Sequence, residues 1–261
     1  MKRLILFIFL IALVSSPAKS EEVVLTGTFQ GDNLFVKNPF APSGVGFCVY
    51  EVTVNGLTST DEINSSAFEV DLSVYGFQVG EPLTVSIKYK EGCQPIVLNP
   101  EVLNARSTFV VSKLEVADQK IKWTTEKEAG SIPFVVEQFR WNKWIEVGRV
   151  TGKGVVVASD YQATIRLHSG ENRFRIKQID YRGKPRYSDE VITVSSKPEV
   201  SFSPNRVDDV ITFTASTMYE IYDEYGGIIF KGYGETVKVS GLQKGKYYLN
   251  LDNKLAVFTK K

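Results

Sequence analysis

The sequence predicts an all-β protein built of three consecutive β-sandwich domains, and three observations predict it. Short runs that alternate apolar and polar residues recur about every ten residues, as strands with one buried face require. Clusters of Gly, Pro, Asn and Asp separate those runs and supply the turns. No long stretch carries apolar residues at the 3, 4 and 7 spacing of a helix face. The chain has 261 residues, 43% hydrophobic, 12% aromatic and 23% charged, an ordinary globular composition that excludes a disordered chain.

Residues 1–20 read as a secretory leader. Lys2 and Arg3 form a positive start and Leu4 to Val14 an apolar run too short to span a bilayer. Ala18-Lys19-Ser20 then places small residues at a cleavage site, with a mature start near Glu21. The competing reading is a buried core strand. The leader carries Lys2, Arg3 and Lys19 and no acid, so the remainder holds 28 basic against 30 acidic residues, a net −2. A surface this close to neutral lacks the basic field of a nucleic-acid binder. No later run is apolar enough for an integral membrane span.

The first segment runs over residues 21–112. Val23 to Phe29, Leu34 to Lys37, Cys48 to Val54, Phe68 to Leu72 and Leu83 to Tyr89 read as strands. Asn55-Gly56 is the strongest short hairpin signal among them. Asn38 to Gly46 is a loop by composition. Cys48 and Cys93 are the two cysteines of the chain, and in an oxidising compartment they read as a disulfide. It closes a loop of about 45 residues, for which chain entropy gives roughly 4 kcal/mol. A free-thiol pair and half a metal site are the alternatives; one histidine and no CxxC leave the latter short of ligands.

The second segment, residues 113–196, places strands at Leu114 to Val116, Ile121 to Thr125, Phe134 to Phe139, Trp144 to Gly148, Asn172 to Asp180 and Val191 to Val194. Gly152-Lys153-Gly154 reads as a hairpin turn. The runs Ile121-Lys122-Trp123-Thr124-Thr125-Glu126, Phe134-Val135-Val136-Glu137, Trp144-Ile145-Glu146-Val147-Gly148 and Phe174 to Ser188 resemble the fibronectin type III-like module of many secreted bacterial proteins. That resemblance implies an immunoglobulin/fibronectin-like sandwich, puts Trp144 at the module's core Trp, and leads one to expect a type IX secretion C-terminal domain next.

The third segment, residues 197–261, is similar to that domain. Pro204 and Asn205 lie in an opening like its Pro-Asn-Pro motif. Asp223 and Gly226 fall in its central hairpin, Gly245 and Tyr247 in its "S-x-L-x-x-G-x-Y" run, and Lys260 and Lys261 in its basic tail. Ser203 and Gly227 depart from the pattern. Read from residues alone, Glu220 to Tyr222 and Ile228 to Phe230 are short strands around a glycine turn, Leu255, Val257 and Thr259 share one face of the last strand, and the two final lysines hold the chain end in water.

His168, the one histidine, lies in a turn and reads as a loop-bracing or surface residue rather than a member of a Ser-His-acid relay. No motif singles out a carboxylate pair, a metal set or a phosphate loop, so no catalytic residue and no cofactor is expected. The candidate partner-binding residues are aromatic. Phe139 and Trp141 flank Arg140 ahead of Lys143, with Trp141 at the turn as an interface anchor or sugar platform, against local packing across the hairpin. Phe40 and Phe47 lie in the Pro- and Gly-rich loop, against a rigid disulfide-braced loop. The resemblance implies a non-enzymatic exported protein placed in the periplasm, at the outer membrane or on the cell surface. Its expected partners are envelope proteins, the outer-membrane or type IX secretion machinery among them; a surface glycan is the alternative.

Overall fold

The computed structural model describes residues 21–261, and the leader reading lies outside the described residues. Period-2 patterning is realised as strands almost throughout. They are β1 (Glu21–Thr28), β2 (Leu34–Lys37), β3 (Val49–Val54), β4 (Leu57–Thr58), β5 (Ala67–Val70), β6 (Pro82–Tyr89), β7 (Ile96–Val97), β8 (Val110–Ala117), β9 (Lys120–Glu126), β10 (Phe134–Arg140) and β11 (Lys143–Val150). There follow β12 (Ser159–Thr164), β13 (Gly170–Ile179), β14 (Pro185–Tyr187), β15 (Val191–Ser195), β16 (Phe202–Ser203), β17 (Arg206–Val207), β18 (Val210–Tyr222), β19 (Ile228–Lys238), β20 (Gly245–Leu251) and β21 (Lys254–Lys260). Two single 3-10 turns, Leu72–Tyr75 and Pro100–Leu103, interrupt them. Leu72, expected to end a strand, starts the first, where Asp71 accepts a hydrogen bond from the Ser73 amide.

The chain divides into two compact units. One comprises residues 21–27, Gly31–Gly76 and Leu83–Val102; the other comprises Thr28–Gln30, Phe77–Pro82 and Leu103–Lys261. The first unit has sheets ordered β1-β6-β3-β4 and β5-β2-β7. Its interior holds Leu34, Val36, Val52, Val54, Val70, Leu72, Val85 and Ile87. Asn55 and Gly56 both take positive φ, 48° and 82°, the geometry of a type I′ hairpin turn. Cys48 and Cys93 form a disulfide.

The second unit holds three sheets: β12-β9-β8, β11-β10-β13-β14 with β15 on β13, and β16-β18-β20-β21-β17 with β19 on β18. β8 spans the point between residues 112 and 113 at which the sequence separates its segments. The first two of these sheets enclose a core of Phe109, Ile121, Trp123, Phe134, Val136, Tyr161, Ile165, Phe174 and Ile176. Trp123, 1% exposed, is the tryptophan of that core. Trp144, expected there, points to the outer face, because it pairs with Phe139, whose parity is opposite to that of Phe134 and Val136. Gly152 and Gly154 form no hairpin turn. They pass so close to the backbone of residues 130–132 that a Cβ on Gly152 would lie 2.4 Å from the Ile132 carbonyl.

The third sheet wraps a second core of Val207, Ile211, Phe213, Ile221, Val237, Val239, Leu249, Leu251 and Phe258. The strands expected to be short at Glu220 and Ile228 are parts of the thirteen-residue β18 and the eleven-residue β19. Leu255 and Val257 do share an exposed face. Lys260 is not in water as expected: it has the parity of Phe258, turns inward and is buried, with Nζ donating to the Lys261 carbonyl at 2.8 Å.

Candidate interaction surface

Two sheets of the second unit meet at a polar joint. On β10, Gln138 and Arg140 have the inward parity of Phe134 and Val136, and both are buried. Gln138 Nε2 donates to Asn172 Oδ1 at 2.8 Å, and Arg140 Nε donates to Gln138 Oε1 at 2.9 Å. Arg140 then reaches the Asp252 carbonyl with Nη1 and the Arg166 carbonyl with Nη2, each at 3.3 Å. Asp252 sits in the β20–β21 turn and accepts from the Ser169 amide at 3.0 Å, from the Ser169 hydroxyl, and from the Val200 amide at 3.3 Å. Burial lowers Arg140 to about 10, against the opposing pull of Asp252.

His168 completes this joint at 3% exposure, with Nδ1 2.7 Å from the Ser169 carbonyl. A cavity of about 390 Å³ lies beside it, with Asp252 and Glu199 on its wall. The geometry is not that of a proton relay. The Ser169 hydroxyl donates to Asp252 and not to His168, Asp252 already accepts from three donors, and Glu199 is paired with Lys254. A buried carboxylate elsewhere, Glu128, is likewise satisfied by the Thr125 and Tyr161 hydroxyls and the Gly154 amide.

The β10–β11 turn adjoins the joint. Trp141 and Asn142 take φ of 51° and 59°, so the turn is again type I′. Asn suits that conformation; a bulky aromatic does not, and holding Trp141 there costs about 1–2 kcal/mol. The turn is pinned by the Trp141 amide donating to Asn253 Oδ1 at 3.2 Å. Lys143 pins it as well, donating to Glu220 Oε2 at 2.7 Å and to the Tyr222 hydroxyl at 2.8 Å. Burial pushes the Glu220 carboxyl up, but Lys143 and Tyr222 more than reverse this and hold it below the usual carboxylate range.

Trp141 lies half-buried on the wall of an open groove of about 780 Å³, formed by residues 145–149 of β11 and by parts of β18 and β19. Arg166 stacks on Tyr233 in this wall, 4.5 Å from the ring centre.

Phe139 and Trp144 lie on the outer face of β10 and β11, ring centres 5.3 Å apart. Arg173 covers Phe139 at 5.0 Å, and Arg175 lies between Trp144 at 4.1 Å and Tyr187 at 3.9 Å. Glu137 beneath them pairs with Arg175 and Lys177. In the first unit, Phe40 and Phe47 stack at 4.5 Å across a bridge, and Phe40 is 66% exposed.

The structure thus brings Arg140 and Trp141 to one place and leaves Phe139 on a neighbouring face. Arg140 offers no charge to solvent; it anchors the turn that presents Trp141. Sequence reasoning missed Gln138, Asn172, Asp252, Tyr219 and Tyr233. The signal for the first two was there: a polar residue at inward parity on a strand is a buried polar residue that needs a partner.

The residues segregated to the third sheet's motif positions act locally. Pro204 follows a cis peptide bond, and the Asn205 carbonyl accepts from the Thr259 amide at 2.9 Å. Asp223 Oδ1 accepts from the amides of Tyr225 and Gly227, closing a turn in which Gly226 has φ 83°. Tyr247, next to Gly245 and Lys246 in β20, stacks on Phe258 and donates to the Gln243 carbonyl at 2.9 Å. Lys261 is exposed, its Nζ 3.9 Å from Asp208.

Fold and surface define a class: an all-β chain of sandwich sheets whose described features are faces, loops and a groove. Comparison with protein-family models gives no match, and comparison with curated proteins gives none. Among solved structures, the chain is similar to fibronectin(III)-like modules of Clostridium thermocellum CbhA, at 12% identity over 59% of this chain and 92% of that one, TM-score 0.22. It is similar to a tetra-tandem repeat in the extending region of a large adhesion protein, at 12% identity over 93% and 75%, TM-score 0.32. A third is the FN1–FN3 region of chicken CNTN1, at 10% identity over 94% and 96%, TM-score 0.24. No helix among the described residues is long and apolar enough to cross a membrane.

Proposed function

We propose that this chain is a non-enzymatic, exported interaction protein of the bacterial cell envelope, an accessory subunit of an outer-membrane or type IX secretion-associated complex. The observation that carries the interaction reading is Trp141: a strained, half-exposed indole held at a turn by a buried network spanning two sheets. Backbone strain retained at a surface position by an over-determined surrounding points to use of that position. The leader pattern and the disulfide support export. Type IX association and the division into three domains rest on the sequence motifs. The test is affinity purification of the intact protein from its native envelope. An outer-membrane or secretion-machinery partner is expected; recovery of no envelope partner would end the subunit reading. Mass spectrometry of the purified chain is expected to show Phe202 to Lys261 still attached, as a resident subunit requires, whereas an exported cargo would lose it.

A further inference from the structure

The geometry points to the groove beside Trp141 as a docking site for an extended, acidic segment of a partner protein. This inference rests on the interaction reading above and names the site and the chemistry of the occupant. The first argument is backbone. Residues 145–149 of β11 and 231–233 of β19 line the groove as consecutive runs. Residues 218–220 of β18 line it too, although β18 is paired on both sides, so it is the strand pairing and not the lining that marks an edge. β11 pairs with β10 alone and β19 with β18 alone, so both are edge strands. An edge offers free backbone donors and acceptors to an added extended chain, which a saccharide does not match in register.

The second argument is composition. Trp141, Tyr219, Tyr233, Met218 and Arg166 share the wall. Trp, Tyr, Met and Arg are the side chains that dominate protein–protein interfaces. The third is charge. The acids of the wall are already paired, Glu146 with Arg149 and Glu220 with Lys143. Arg166 and Lys231 are exposed and have no carboxylate partner among the described residues. Two unmatched cations beside aromatic rings complement an acidic chain with apolar anchors.

The test is calorimetric titration of the intact protein with an eight-residue, end-capped peptide alternating Asp or Glu with Leu or Phe. The same peptide with Lys at its charged positions and tetragalacturonate serve as the comparison probes. The acidic peptide is expected to bind and to weaken with salt. Trp141→Asn, which suits the turn, is expected to weaken it at least about tenfold with no loss of thermal stability. Lys231→Gln, on an exposed strand, is expected to weaken it about threefold and flatten the salt dependence, and it keeps the test open should Trp141→Asn disturb the turn. Equal or tighter binding of the Lys peptide or of tetragalacturonate overturns the proposal, as does no binding of the acidic peptide or full binding by both variants. Failure here is separable from failure of the wider reading. If Trp141→Asn still recovers the envelope partner on purification, the groove falls and the subunit reading stands.

Discussion

Arg140 shows how a surface guess becomes an interior fact at the scale of one residue. Its charge is buried and its guanidinium divided among three acceptors. Arg140→Ala would leave the carbonyls of Asp252 and Arg166 and the Gln138 amide oxygen short of a donor. A loss of about 2–4 kcal/mol in urea unfolding is expected. His168 gives a pH prediction. Burial, helped by the Arg140 charge, lowers its pKa below 6.5, against the Ser169 and Phe139 backbone and Asp252, which raise it. The unfolded chain therefore takes up this proton first as pH falls. Stability from this site is full above about pH 6.5. It declines as pH drops through the lowered folded value, with a slope of at most about 1.4 kcal/mol per pH unit. Urea midpoints between pH 8 and 5 are expected to fall in the parent and to flatten in His168→Gln. The groups facing His168 across the joint are Arg140, Arg166 and Asp252, with Lys197 and Glu199 on the cavity wall.

At the scale of elements, the Gly152–Gly154 segment is held by contact and not by turn chemistry. The Gly154 amide donates to Glu128 Oε2 at 2.8 Å, and the Tyr161 hydroxyl receives the Lys153 amide at 2.7 Å while donating to Glu128. Burial, with Glu128 nearby, raises the Tyr161 hydroxyl to about 12. Gly154→Ala would put a Cβ 2.5 Å from backbone atoms of Gly130 and Ser131 at φ +74°. A destabilisation of about 2–4 kcal/mol is expected by thermal unfolding. An Ala at Gly241, where nothing lies within 4 Å, is expected to change little.

At the scale of the whole molecule, the disulfide belongs to the first compact unit. Replacing Cys48 and Cys93 by Ser is expected to lower that unit's stability by about 2–4 kcal/mol. Calorimetry should show its transition shifted down and that of Leu103–Lys261 in place. In the second unit, Arg140, Lys143 and Ser169 tie the sheet that holds β10, β11 and β13 to the C-terminal sheet. The two sets of strands are therefore expected to unfold in one calorimetric step, which Arg140→Ala should split or broaden.

The sequence by itself determined the all-β class and most strands, because alternation and turn residues are local properties of the chain. Asn55-Gly56 and the Leu34 to Lys37 strand were legible for that reason, and the Cys48–Cys93 bridge because the chain has two cysteines to pair. β12 and β14 were not, since Ser159 to Thr164 and Pro185 to Tyr187 carry weak alternation and are held by their neighbours β9 and β13. Tertiary structure alone decided the side to which an alternating residue turned where both faces are covered. It set Trp144 outward, Lys260 inward and Arg140 into a joint with Asp252, 112 residues away. It alone also built the groove, because that feature exists where strands distant in sequence line one hollow.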